Sequence, residues 1–161
     1  MGKMTKTPFS KTMERATDLL EIIHTDVCGP MSVEARGGYR YILTFRDDSS
    51  RYGYIYLMKH KSETFEKFKE FQSEVENHHN KKIKFLRFDR GGEYLSYEFG
   101  LHLKQCGIVS QLTPHATPQR NGVSKHHNRT LLYMVRSMMS LTDLPLSFWD
   151  YALETTAFTL K

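Results

Sequence analysis

What most constrains the fold of this chain is the order in which its apolar pattern changes. Three short β-type runs come first: "LLEIIHTDV" from Leu19 to Val27, "YRYILTFR" from Tyr39 to Arg46, and "RYGYIYLMK" from Arg51 to Lys59. The first is rich in β-branched residues and stops at Cys28-Gly29-Pro30, a turn signal. The second and third are joined by Asp47-Asp48-Ser49-Ser50, a polar link short enough for a hairpin, where the two acids read as solvated loop. From Ser62 the period becomes helical. Phe65, Phe68, Gln72 and Val75 share one face and Phe71 widens it, which predicts a helix to about Asn77 capped by Ser62. A fourth strand follows, Ile83 to Phe88, then the sharp Arg90-Gly91-Gly92 loop. Next come a short helix closed by Gly107 and a fifth strand, "IVSQLTP", which Pro114 stops. Helix runs on from Pro118, with Leu131, Leu132, Val135, Met138 and Met139 as its buried stripe. A last helix turns Phe148, Trp149 and Leu153 inward.

Strands close in sequence pair antiparallel, and strands reached through helices pair in parallel. The expected fold is therefore α/β: a five-stranded mixed sheet, three strands antiparallel and two parallel, with helices on both faces.

At 161 residues with 39% hydrophobic content, the chain is long enough for one domain with a real core. Residues 1–18 are polar and basic and read as an extended lead-in or linker; residues 19–161 form the domain. The excess of 23 Lys and Arg over 18 Asp and Glu is mild and moves the reading only slightly toward nucleic acid. Cys28 and Cys106 form no Cys-x-x-Cys pair, which argues against a disulfide framework or a thiolate zinc site and suits a reducing compartment. Both read as small buried residues. No apolar run approaches the ~18 residues of a membrane span, and the first residues have no apolar core of a signal peptide.

Asp26 and Asp89 each stand at the C-terminal end of a predicted strand, and these strands are not neighbours in sequence. A sheet of this order allows the two to lie side by side where ligand sites often form. Close carboxylates repel and need protons or a cation. Oxygen-only ligands point to magnesium or manganese, and two such ions suit phosphoryl transfer. An Asp at a strand end is also a common turn cap, so both readings stand on spacing alone. His24, two residues before Asp26, shares its side of the strand and reads either as support for Asp26 or as a packed strand histidine. His78 and His79 read as solvated surface.

The segments "HTDVCGPM", "TFRDDSSRYGYIYLMKHKSE", "FLRFDRGGEYLSYEF", "TPQRNGV" and "LPLSFWDYALET" strongly resemble the integrase catalytic core of copia-type plant retrotransposons, over nearly the whole chain and in one unbroken order. The resemblance implies the RNase H-like fold of the polynucleotidyl transferases, a five-stranded mixed sheet flanked by helices. It implies an active site of Asp, Asp and Glu, with 35 residues between the last two. Asp26 matches the first and Asp89 the second. Thirty-five residues beyond Asp89 the family pattern Asn-Gly-x-x-Glu reads Asn121-Gly122-Val123-Ser124-Lys125. The frame is kept and the charge is reversed.

Other departures accompany Lys125. Phe88 stands where the family has a small hydroxyl residue, Arg46 where it has an apolar one, and His126 and His127 where it has basic residues. The resemblance implies magnesium or manganese in the intact family, held in part by Asp26 and Asp89, with weak or no binding here. It implies DNA as partner, both element ends and target, and a second copy of the chain as a further partner. The zinc-binding and reverse-transcriptase regions of the polyprotein lie outside this sequence. Location is expected to be intracellular, in the nucleus or a virus-like particle.

An ammonium does not ligate magnesium, and its charge repels the ion. At ~4 Å and an effective dielectric of ~20, each Lys–Asp pair carries about 4 kcal/mol of gross Coulomb energy, much of it offset by desolvation. Lys125 is therefore expected either to pair inward with Asp26, Asp89 or both, or to point outward as a helix-surface cation. Glu93, four residues past Asp89, is the one substitute for the missing Glu, since His126 and His127 are turned by ~100° and ~200° from Lys125. By the resemblance, Gln119, Arg120, Asn121 and Gly122 are candidate DNA contacts, with Arg129 one turn beyond Lys125. Such contacts are salt-dependent and sequence-blind. Three functions follow as expectations: an integrase core impaired in end processing and strand transfer, a DNA-binding or dimerising remnant, and a one-metal nuclease.

Overall fold

The computed structural model describes residues 15–89, 91–112 and 122–160, with side chains described for all of these but 122–127 and 156–160. Its strands are β1 (Ile22–Cys28), β2 (Tyr41–Asp47), β3 (Gly53–Met58), β4 (Phe85–Phe88) and β5 (Val109–Leu112). Its helices are α1 (Thr64–His79), α2 (Tyr97–Gln105), α3 (Gly122–Ser140) and α4 (Trp149–Leu160). The sheet order is β3-β2-β1-β4-β5. β1, β2 and β3 pair antiparallel, and β4 and β5 join in parallel through β1. This is the mixed sheet expected from the order of the patterns.

Alternation along the strands divides the core between two faces. Ile23, Leu43, Phe45 and Leu86 meet Phe68, Phe71 and Val75 of α1 and Phe99 and Leu103 of α2. The Phe45 ring stacks on Phe71 with centroids 4.3 Å apart. On the other face Ile42 meets Leu131 and Val135 of α3 and Trp149 and Leu153 of α4. Each such side chain, fully buried, contributes roughly 1.5–3 kcal/mol. Trp149 Nε1 donates to the Val33 carbonyl at 2.6 Å, which ties α4 to the segment after β1. Ser96 caps α2 by accepting from the Phe99 N–H, and Gly107 leaves the helix with φ +72°, as its place in the sequence predicted.

Three expectations are corrected. Ser62 does not cap α1. A 3-10 turn, Lys61–Glu63, precedes the helix, and Glu63 closes that turn: its carboxylate accepts the N–H groups of Lys59 and His60 at 2.8 and 2.6 Å, while no side chain caps α1 itself. Asp47 and Asp48 are not solvated loop; they are 4% and 3% exposed. Asp47 accepts the Leu20 and Ser50 N–H groups, and Asp48 accepts the Ala16 N–H and His24 Nε2, all at 2.7–2.8 Å. The pair closes the hairpin and receives the chain entering β1, so the carboxylates replace water with fixed donors. Cys28 and Cys106 are half-buried free thiols, not core residues. His78 is exposed and His79 half-buried at the end of α1. The expected helix start at Pro118 lies outside the described residues.

Candidate active site

β1 and β4 run parallel, with Ile22, Ile23 and His24 beside Phe85, Leu86 and Arg87. Continuing that register by two residues sets Asp26 beside Asp89, on neighbouring strands ~4.8 Å apart. Asp89 is the first residue after β4, and both aspartates are half-buried. The crossover through α1 thus puts β1 beside β4 and directs two residues distant in sequence toward the same end of the sheet.

Helix α3 reaches this point through Asn128, which sequence reasoning missed. Its Nδ2 donates to Asp26 Oδ2 at 3.0 Å, and the residue is only 7% exposed. Asn128, Leu131 and Val135 form one inward stripe at helical spacing, with the polar member over the carboxylate and the apolar members over the sheet. The signal was an Asn one turn ahead of the apolar stripe. Its Oδ1 is buried with no hydrogen-bond partner among the described residues. Lys125 stands in α3 one turn before Asn128. The side chains of Lys125, His126 and His127 lie outside the described residues, and so does the choice between an inward and an outward Lys125.

Thr25 points to the opposite face of β1 from Asp26, where its Oγ1 lies 3.1 Å from the Tyr94 hydroxyl. Burial pushes the Tyr94 hydroxyl well above its ordinary value. The Thr25 bond opposes this, and the carboxylates of Asp26, Glu93 and Asp89 add to the upward push. The Tyr94 ring stacks on Phe88, centroids 4.7 Å apart at 22°. Phe88 is 2% exposed and belongs to the core, so this departure from the family pattern fills space behind the site. The Glu93 carboxylate folds back over Gly91, where a Cβ would lie 2.5 Å from its Oε1. No group of three His, Cys, Asp or Glu residues fit to hold a metal occurs among the described residues.

His24 takes no part at Asp26: its Nε2 bonds Asp48 Oδ1 at 2.7 Å, and it is 1% exposed. Arg46 sits across from His24 in β2, half-buried, its pKa drawn down by burial and by Arg51. Burial raises the Cys28 thiol, and Asp26 adds to the rise while Arg136 opposes it. Gln119, Arg120 and Asn121 lie outside the described residues. Gly122 opens α3, and Arg129 is exposed on it. Two adjacent carboxylates supply hard oxygen donors of the kind magnesium takes, so Asp26 and Asp89 fit part of such a site.

No protein-family model matches the chain. It is 41% identical over 160 residues, 99% of its length, to the retrovirus-related Pol polyprotein from transposon TNT 1-94 of Nicotiana tabacum. It is 32% identical over its whole length to that from transposon RE2 of Arabidopsis thaliana. The chain spans 12% and 11% of these relatives. Among solved structures it resembles a chain of the simian T-cell lymphotropic virus intasome in complex with PP2A regulatory subunit B56 gamma. That match has a TM-score of 0.71 and 18% identity, and covers 91% of this chain and 50% of that one. The HTLV-2 integrase catalytic core domain in complex with magnesium, in its trimeric form, aligns with a TM-score of 0.66 and 19% identity over 91% of this chain and 88% of that one. Over its whole length the chain is therefore a relative of one segment of the copia-type Pol polyproteins of plant transposons, and its fold is the RNase H-like fold of integrase catalytic cores.

Proposed function

We propose that this chain is a retrotransposon integrase core that keeps two of three acidic positions and is impaired in DNA joining because Lys125 occupies the third. The observation that supports this best is the register that brings Asp26 beside Asp89, with α3 docked on Asp26 through the 3.0 Å bond from Asn128. Asp26 and Asp89 are the ligands for magnesium or manganese. When bound, such an ion neutralises phosphodiester charge and lowers the pKa of an attacking water. Asn128 fixes Asp26 by one oxygen, and Thr25 with Tyr94 anchors the same strand from behind. Lys125 brings a positive charge, and no carboxylate ligand, to the position where the family pattern has Glu, and so weakens metal binding. Attack by water on an element end, and then by the freed 3′-hydroxyl on target DNA, both lose the charge stabilisation they need. Duplex DNA held by Gln119, Arg120, Asn121, Gly122 and Arg129 does not depend on that charge. Self-association and residence in a nucleus or virus-like particle belong to the same reading.

Strand transfer with magnesium or manganese tests it. The chain as it stands joins no DNA, Lys125→Glu restores joining at least in part, and adding Asp26→Asn abolishes it again. Equal joining by the chain and by Lys125→Glu overturns the proposal. Nicking without joining, lost in Asp26→Asn, identifies a one-metal nuclease instead. Salt-sensitive DNA binding with no cleavage in either protein identifies a binding remnant.

A further inference from the structure

A cavity of about 350 Å³ lies where the chain entering β1, the β2–β3 turn and the end of α1 meet. Its tyrosine Tyr54 belongs to the α1 face of the sheet, whereas Asp26 faces α3. Asp47, on its wall, pairs with Ile23, three residues or ~10 Å along β1 from Asp26. Rings make up much of the lining. Tyr52 and Tyr54 stand two residues apart at the outer edge of the sheet, so they share one side of it. Their centroids are 5.1 Å apart and their planes meet at 61°. His78 and His79 close α1, with rings 4.8 Å apart at 88°. Leu19 and Leu20 supply an apolar side.

The charge here runs against the rest of the chain, whose net charge is +5. Asp47 lines the cavity, and no Lys or Arg among the described residues does. Buried charges are ordinarily paired. Asp47 is 4% exposed, yet it takes part in no salt bridge among the described residues. Arg51, in the same turn, makes its charge felt at Asp48 and is not part of the lining. The Asp47 charge reaches Tyr54: burial raises that phenol first, and Tyr52, Glu74 and Asp47 add to the rise.

Open hydrogen-bond acceptors are scarce where this charge sits. Both Asp47 oxygens already accept backbone N–H groups, from Leu20 at 2.8 Å and Ser50 at 2.7 Å. Ser50 Oγ accepts the Tyr52 N–H at 3.2 Å. A primary ammonium carries three donors that need acceptors once they leave water. A methylated ammonium needs none and is attracted to ring faces. We propose that this cavity binds a trimethylated ammonium on an alkyl stem, the cation against Tyr52 and Tyr54 beside the Asp47 charge and the stem along Leu19 and Leu20. A trimethyllysine in a peptide and a free quaternary amine share that chemistry.

Fluorescence anisotropy with the full chain and a short labelled peptide carrying one trimethyllysine tests it, at about pH 8, where imidazole is ordinarily neutral. Trimethyllysine binds about tenfold more tightly than its uncharged carbon isostere in the same peptide, and more tightly than unmodified lysine. Tyr52 is 44% exposed, so its replacement leaves the fold intact, which the denaturant midpoint checks. Tyr52→Leu weakens trimethyllysine binding about fivefold, while Tyr52→Phe keeps it. Tetramethylammonium as competitor separates the sources. Displacement at the peptide's own dissociation constant assigns the cavity to free quaternary amines, and displacement only at far higher concentration assigns it to a peptide side chain; both uphold the inference. Equal binding of trimethyllysine and its isostere, tighter binding of unmodified lysine, or no trimethyllysine binding at ~1 mM overturns it. So does unchanged binding in Tyr52→Leu. The readout involves neither Asp26 nor DNA, so its failure leaves the integrase reading untouched.

Discussion

At one end of the sheet Asp47 and Asp48 lie together in the β2–β3 turn; at the other, Asp26 of β1 lies beside Asp89 after β4. The first pair is adjacent in sequence and nearly inaccessible, and each of its four carboxylate oxygens accepts a donor at 2.7–2.8 Å: three backbone N–H groups and His24. The second pair comes from two strands, is half-buried, and receives a side-chain donor, Asn128, from a third element. Donors fixed by the local backbone make the first pair a fastener of the hairpin. Convergence of separate elements makes the second the candidate site. Closeness in sequence was the misleading cue, and distance in sequence with matched register the informative one.

The sharpest way to break the comparison is to treat both pairs alike. Asp48→Ala strands a buried His24 nitrogen and the Ala16 N–H, and should destabilise the fold by about 3–4 kcal/mol in denaturant titration. Asp26→Asn, which keeps the shape, should cost far less. Acid separates the pairs too. Burial pushes the Asp48 carboxyl up, but the His24 and Ala16 hydrogen bonds outweigh it and hold the pKa at about 2, below the ordinary 3.8. A carboxyl depressed on folding contributes stability that is fully present above its unfolded value and is lost as pH falls through the folded one. The share from Asp48 is about 2 kcal/mol, disappears between roughly pH 4 and pH 2, and is absent in Asp48→Ala.

Phe88→Thr restores the small hydroxyl residue of the family pattern. It removes the stack on Tyr94 and should cost about 3 kcal/mol. In a Lys125→Glu background it should add no joining activity; a gain there would make Phe88 a lesion of the site. Asn128→Ala should cost less, about 1–1.5 kcal/mol, through the lost bond to Asp26. A cost near zero would mean that α3 is held by Leu131 and Val135 alone.

Much of this was legible in the sequence, because period and strand order follow directly from which residues are apolar. The switch to helical period after Ser62 and the parallel placement of β4 and β5 are both of that kind. What could not be read depended on single side-chain bonds. Asp47 and Asp48 have the composition of a solvated turn, and only the approach of Ala16, Leu20 and His24 buries them. Leu19 and Leu20 look like the start of a strand. Leu20 instead takes φ +62° to turn into β1, which begins at Ile22. Asn128 looks like a polar interruption of a helix stripe until the carboxylate beneath it is known.

Manganese binding followed by water-proton relaxation tests the central claim most directly, since it needs neither DNA nor turnover. Lys125→Glu should bind the ion at least about tenfold more tightly than the unaltered chain, and Asp26→Asn in that background should bring binding back down. Equal binding by the unaltered chain and Lys125→Glu would place Lys125 outside the metal site and contradict the account.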